Sequence, residues 1–227
     1  MVPDRLNRSG DSPSEILRWP TERARKWTCD FLNSAPADSS LLAVVAIGSA
    51  VRPNVVSTDL DLIVISAEAT PLHISPPMEI DLRVYSVAAI SGKIASGHDL
   101  LGWAVKFGKV LFQRDHCWDR IVGDWQGRLP LPSSALARER AAAAHERLAK
   151  VLESGDTDAA REQAVSYLTH LARAELLCRG IYPASRPELP SQLRASNGSH
   201  IAEQLERLLQ NDRIDNARLD QLLRLTA

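Results

Sequence analysis

Seven consecutive apolar residues, Leu41 to Ile47, stand between a polar loop at 34–40 and the pair Gly48-Ser49. So short a run, rich in Val and Ile, predicts a strand buried on both faces. Residues 60–65 (Leu-Asp-Leu-Ile-Val-Ile) read as a second strand, after a polar loop at 52–58 that contains Pro53 and Asn54. A Pro-rich link (Pro71, Pro76, Pro77) leads to a third at 79–85, where Ile80, Leu82 and Val84 alternate with Glu79, Asp81, Arg83 and Tyr85. That alternation predicts one buried and one polar face. Helical spacing begins at Ser14 and runs through Ile16, Leu17, Trp27, Phe31 and Leu32, with Pro20 as a break or first turn. Further helices are predicted at 86–97, at 99–107 with Asp99 as its cap, and around 118–125; 110–112 reads as an edge strand.

Past the linker 128–134 the texture changes. Residues 135–227 are rich in Ala, Leu, Arg and Glu and poor in β-branched runs, which predicts helices at about 135–153, 157–179, 187–195 and 199–225. The fold class read from this pattern is α+β: a mixed sheet flanked by helices, followed by an all-α bundle. The boundary falls near Pro130, giving units 1–130 and 131–227.

Charge narrows the function classes. The 227 residues carry 27 Lys+Arg and 28 Asp+Glu. The balance holds in each part, with 14 basic and 15 acidic residues in 1–130 and 13 of each in 131–227. A protein that grips long nucleic acid through phosphates carries a basic excess, so that class is disfavoured. Residues 1–12 are polar, with no apolar signal segment, and no apolar run approaches the ~20 residues of a spanning helix. Cys29, Cys117 and Cys178 are too widely spaced for a C-x-x-C pair and read as reduced thiols. Together these point to a cytoplasmic protein with no membrane partner.

Candidate chemistry lies in the carboxylates. Asp59 and Asp61 flank Leu60, and the two-residue period of a strand turns both to one side. Asp81 joins them if the second and third strands pair in register. Three converging carboxylates suit divalent metal and in-line displacement at phosphorus. Gly48 permits close backbone approach to an anion, and Ser49 offers a hydroxyl to a phosphate oxygen. Glu79, on the face of Asp81, is a candidate base toward an acceptor hydroxyl. Arg83, on the same face, suits either pairing with the carboxylates or holding phosphate.

The stretch Ile47-Gly48-Ser49, nine residues, then Asp59-Leu60-Asp61-Leu62, resembles the nucleotidyltransferase superfamily of DNA polymerase β type. Ser49-Ala-Val-Arg52 is similar to a Gly-Ser-x-Ala-Arg-Gly stretch of small bacterial members, with Val51 and Pro53 in place of the usual Ala and Gly. Ile80-Asp81-Leu82 is similar to the strand of the third carboxylate. The resemblance implies transfer of a nucleoside monophosphate from a nucleoside triphosphate, ATP by preference, to a hydroxyl, with release of pyrophosphate. It implies Asp59, Asp61 and Asp81 as catalytic metal ligands for two Mg²⁺ ions (or Mn²⁺), and Gly48, Ser49 and Arg52 at the nucleotide. The acceptor is then a small molecule or a protein, and an oligomer stays open.

More weakly, the helical half resembles the C-terminal substrate-binding and HEPN-type bundles of small nucleotidyltransferases, on Tyr167 to Leu193. Arg140 and His145 match the spacing of HEPN ribonucleases but fall on the first helix of the bundle and read as a surface pair. Two alternatives accompany the small-molecule reading: an antitoxin-type enzyme that nucleotidylates a partner protein, and an inactive nucleotide-binding protein.

Overall fold

The computed structural model describes residues 13–53, 58–68 and 75–210. The expectations for 1–12, for most of the loop before Thr58, for the link around Pro71 and for the last helix beyond 210 lie outside them. The chain divides into two compact units, Met1–Pro130 and Leu131–Ala227.

In the first unit, strands β1 (Leu41–Ile47), β2 (Leu60–Ser66), β3 (Ile80–Ser86) and β4 (Lys109–Gln113) form one sheet in the order β3-β2-β1-β4. β1 is antiparallel to β2 and β4, and β2 is parallel to β3, so the sheet is mixed, in an α+β fold. The unbroken apolar run of β1 follows from its place: it has a strand on either side and a packed layer on either face. Leu41, Val44 and Ala46 join one layer, and Ala43, Val45 and Ile47 the other. A register shift between Leu41 and Ala43 turns Leu42 and Ala43 to the same layer.

The first layer is closed by α1 (Glu22–Ser34), which buries Ala24 and Thr28 and carries Trp27 and Phe31, stacked with ring centroids 5.2 Å apart. The helical spacing from Ser14 is only partly realised, because α1 starts after Pro20, where Thr21 accepts from the Ala24 amide at 3.1 Å. The segment before Pro20 has another task. The Leu17 amide donates to the Ala50 carbonyl at 2.9 Å, strapping this segment to the turn after β1.

The second layer holds α2 (Val87–Ala95), α3 (Asp99–Phe107) and α4 (Cys117–Trp125), with Ile90, Ile94, Leu101 and Trp118 buried against Ile63 and Ile65. His98, not Asp99, caps α3, its ring nitrogen accepting from the Leu101 amide at 3.4 Å. Asp99 instead lies in the first turn, where its charge meets the positive end of the helix dipole. Between α3 and β4 only glycine fits at position 108: a Cβ there would lie 2.5 Å from the Ala104 carbonyl oxygen and 2.8 Å from a Val45 methyl.

The second unit is helical: α5 (Ser134–Ser154), α6 (Thr157–Cys178), α7 (Leu189–Ala195) and α8 (Ser199–Leu209). Ser133 and Asp156 cap α5 and α6 through their side chains. Alanines at 141, 144, 160, 164 and 172 line the α5–α6 seam and let the two helices approach closely, with Leu148, Leu168 and Leu176 filling the core. Among the described residues, no helix is long and apolar enough to cross a membrane.

Leu62 is 1% exposed at the centre of the sheet. Leu62→Ala should lower unfolding stability by about 2–5 kcal/mol in denaturant titration, the usual effect of a large-to-small change in a core that collapses only partly.

Candidate functional site

Strand pairing decides which carboxylates meet. Asp61 lies opposite Ile47 in the β1–β2 pair and opposite Asp81 in the parallel β2–β3 pair. Asp61 shares its sheet face with Ile63 and Ile65, and Asp81 shares the same face with Arg83 and Tyr85. Neighbouring strands run about 4.8 Å apart, so equivalent positions of this kind are side by side. The site therefore sits where β1 ends and β2 and β3 begin, at the rim of the layer that holds α2, α3 and α4.

Gly48 closes this rim. Its backbone has φ 76° and ψ −154°, which side-chain-bearing residues rarely adopt. A Cβ at this position would stand 2.3 Å from Oδ2 of Asp61. The Asp61 carboxylate thus rests on the bare face of Gly48, a cradle that any larger residue would fill. Ser49 then opens a 3₁₀ turn, Ser49–Val51, closed by the Arg52 amide on the Ser49 carbonyl at 3.1 Å. Ala50 and Val51 are buried, which anchors the turn. Arg52 follows directly, its guanidinium 5.1 Å from the centre of the Phe107 ring. The cation–π contact ties its charge to the end of α3.

The other candidates are placed less uniformly. Asp59 is exposed on the bend before β2. Asp81 is exposed and bonded by Arg83, whose Nη2 and Nε donate to Oδ2 at 2.7 and 3.2 Å. Glu79 turns to the start of α1: its Oε1 accepts from Thr21 Oγ1 at 3.4 Å, while its Oε2 is buried with no partner among the described residues. The Glu79 carbonyl accepts from the Leu60 amide at 2.8 Å and so locks the starts of β2 and β3 together.

Asp61 carries the electrostatic strain. Its pKa is pushed up from 3.8 to about 6, first by burial, then by the negative charges of Asp59 and Asp81, with Arg83 pulling the other way. A half-buried carboxylate beside two others is the environment that a hard cation relieves, and an all-oxygen donor set suits Mg²⁺. The donor chemistry fits such an ion. The three carboxylates do not stand as a ready chelate, however: among the described residues, no group of three His, Cys, Asp or Glu is arranged to hold a metal ion. Asp81 has Arg83 as its cation, and the charge of Asp59 acts on Asp61 through its field.

Two features here escaped the sequence reading: the ring of Phe107 beneath Arg52 and the hold of Thr21 on Glu79. Both join residues more than fifty positions apart, and local spacing carries no sign of them. The Arg83 grip on Asp81 did have a signal, because residues two apart on a strand share a face.

No protein family profile matches the chain, and no curated protein matches it. Among solved structures, it is similar to a nucleotidyltransferase-like protein from Exiguobacterium sibiricum 255-15. The identity is 17% and the TM-score 0.44, over 87% of this chain and 71% of that one.

Gly48→Ala should destabilise the fold by roughly 1–3 kcal/mol in thermal or denaturant melts, from backbone strain plus the displaced Asp61 carboxylate. The raised pKa of Asp61 sets a pH signature. Because the folded state holds its proton more tightly than the unfolded chain, Asp61 costs stability as pH rises from about 4 through 6, and the full cost is present at pH 7. Asp61→Asn should therefore stabilise the metal-free protein at pH 7 by on the order of 2 kcal/mol. The gain should vanish near pH 4.

Proposed function

We propose that the chain is a nucleotidyltransferase that moves a nucleoside monophosphate from ATP to a hydroxyl of a small-molecule acceptor and releases pyrophosphate. The observation that carries this reading is the in-register pair Asp61–Asp81 beside the positive-φ Gly48. It joins the sequence pattern Gly48-Ser49…Asp59-Leu60-Asp61, which resembles the polymerase β-type superfamily, to a local geometry suited to phosphate chemistry.

In this reading Asp61 and Asp59 hold divalent metal, with Asp81 added on the acceptor side. Bound Mg²⁺ supplies charge neutralisation at the triphosphate and activation of the acceptor oxygen. The residues of the chain do the positioning. Gly48 lets the triphosphate approach the backbone, and Ser49 donates its hydroxyl to a phosphate oxygen. Arg52, steadied on Phe107, offers a fixed positive charge to the departing pyrophosphate. Asp81 would hold metal on the acceptor side, and Arg83, which now bonds Asp81, would then be placed to meet a phosphate oxygen. The Glu79 side chain ties the start of β3 to Thr21 at the head of α1, away from the acceptor side, while its backbone carbonyl joins the starts of β2 and β3.

The Arg83–Asp81 ion pair also favours a second reading, nucleotide binding without turnover, in which Asp81 keeps its arginine. A nucleotidylated partner protein remains the alternative acceptor.

Incubation with labelled ATP, Mg²⁺ and a panel of polyhydroxy small-molecule acceptors separates these readings. Labelled product should form, and Asp61→Asn or Asp81→Asn should each reduce its rate by at least about 100-fold, as removal of a group acting on transition-state charge does. ATP binding with no labelled acceptor, small or protein, and no pyrophosphate would favour the inactive reading. Absence of Mg-ATP binding would end both.

A further inference from the structure

The turn after β1 and the end of α3 meet on one aromatic ring. The Arg52 guanidinium carbon lies 5.1 Å from the centre of the Phe107 ring, and Lys106 Nζ lies 5.8 Å from the same centre. Elsewhere in this unit, Arg128 lies over Trp125 and Arg114 over Phe112, each a near neighbour of its ring in the chain. Arg52 and Phe107 are far apart in the chain, so their contact exists because the fold makes it.

Each side of that contact has its own support. Phe107 is the last residue of α3, and the Gly108 amide after it donates to the Ala104 carbonyl at 2.8 Å. A Cβ on Gly108 would stand 2.8 Å from a Val45 methyl, so its absence lets the end of the helix lie directly on β1. The Trp103 ring, one turn back, backs Phe107 with centroids 5.0 Å apart. On the other side, the Arg52 amide is held by the Ser49 carbonyl, Ala50 and Val51 are buried, and the Leu17 amide holds the Ala50 carbonyl. The backbone is thus placed at both ends, and the half-buried Phe107 ring sets where the long Arg52 side chain ends.

An arginine on a flexible stem loses rotamer freedom when it binds an anion. A ring beneath the guanidinium removes part of that freedom beforehand, which lowers the cost of binding. The N–H groups at the edge of a guanidinium that lies over a ring still fork onto phosphate oxygens. Lys106, exposed on the last turn of α3, brings a second positive charge to the same ring. A departing pyrophosphate carries more than one negative charge, so a pair of cations suits it better than one.

We propose that Phe107 is a positioning residue that holds Arg52 and Lys106 together as the site for the pyrophosphate end of the nucleotide. The identity of this anion rests on the nucleotidyltransferase reading, and its place rests on the two cations at Phe107 beside the Gly48-Ser49 turn. Phe107 touches no phosphate and acts through the two cations. Lys106, outside the sequence pattern Gly48-Ser49…Asp59-Leu60-Asp61, joins the residues that meet the nucleotide.

The test is calorimetry on the full chain, with inorganic pyrophosphate and Mg²⁺ as the probe. The wild type should bind saturably, and Arg52→Gln should weaken binding at least about tenfold. Phe107→Leu, which removes the ring and keeps an apolar side chain, should weaken it about threefold, and Phe107→Tyr should restore it. The losses should not add: Arg52→Gln/Phe107→Leu should bind no more weakly than Arg52→Gln alone. Lys106→Gln, at an exposed position, keeps the test valid if Phe107→Leu does not fold. It should weaken binding about threefold and leave the melting temperature unmoved. Arg128→Gln, an exposed arginine over a different ring, should bind as the wild type does. No saturable binding by the wild type, wild-type binding in Phe107→Leu or Lys106→Gln, additive losses, or an equal loss in Arg128→Gln would each overturn the proposal. Transfer of label from ATP by the wild type, with pyrophosphate binding unmoved in these variants, would overturn it and leave the transferase reading standing. Coupled pyrophosphate binding with no transfer to any acceptor would do the reverse.

Discussion

Two carboxylates at equivalent positions of adjacent parallel strands repel each other, and the first unit is built so that they cannot part. The β2–β3 pairing holds the backbones of Asp61 and Asp81 side by side along a ladder from Leu60–Ile80 to Ser66–Ser86. A slip of one residue would send Ile80, Leu82 and Val84 to the polar face and lose the layer against α1, so the core enforces the register that the charges oppose. Gly48 adds the second constraint by occupying no space where the Asp61 carboxylate rests. Stability is given up locally at Asp61 and supplied by apolar packing on both faces of β1 and β2. Such local loss is a recurrent property of sites that handle charge.

The first unit hides a local imbalance within a neutral total. It collects negative charge where β1 ends, with Arg52 and Arg83 as its nearby cations. Asp61 and Asp81 sit at strand starts held by the sheet, a rigid support. A site on rigid supports holds its geometry before a ligand arrives, which lowers the ordering cost of binding.

Much of the first unit was legible in the sequence because burial writes itself into periodicity. The run Leu41–Ile47 announced a doubly covered strand, and the alternation from Ile80 to Val84 announced one covered face. The spacing of Asp59, Asp61 and Asp81 was enough to expect Asp61 and Asp81 together once β2 and β3 paired in register. Start signals were less legible. Thr21 and His98 take caps that the apolar spacing from Ser14 and the residue type of Asp99 assigned elsewhere, since capping depends on where the chain enters the helix. Contacts across the fold were not legible at all. Nothing near Arg52 points to Phe107, and nothing near Glu79 points to Thr21.

In the proposed function the Asp61–Asp81 pair accepts a divalent cation together with a nucleotide. The most direct measurement is an electron paramagnetic resonance titration with Mn²⁺, in the presence of an ATP analogue that cannot be cleaved between its α- and β-phosphates. Mn²⁺ should bind the wild type at stoichiometric levels, and Asp61→Asn should lose that binding. Equal Mn²⁺ binding by wild type and Asp61→Asn, or none by either, would contradict it.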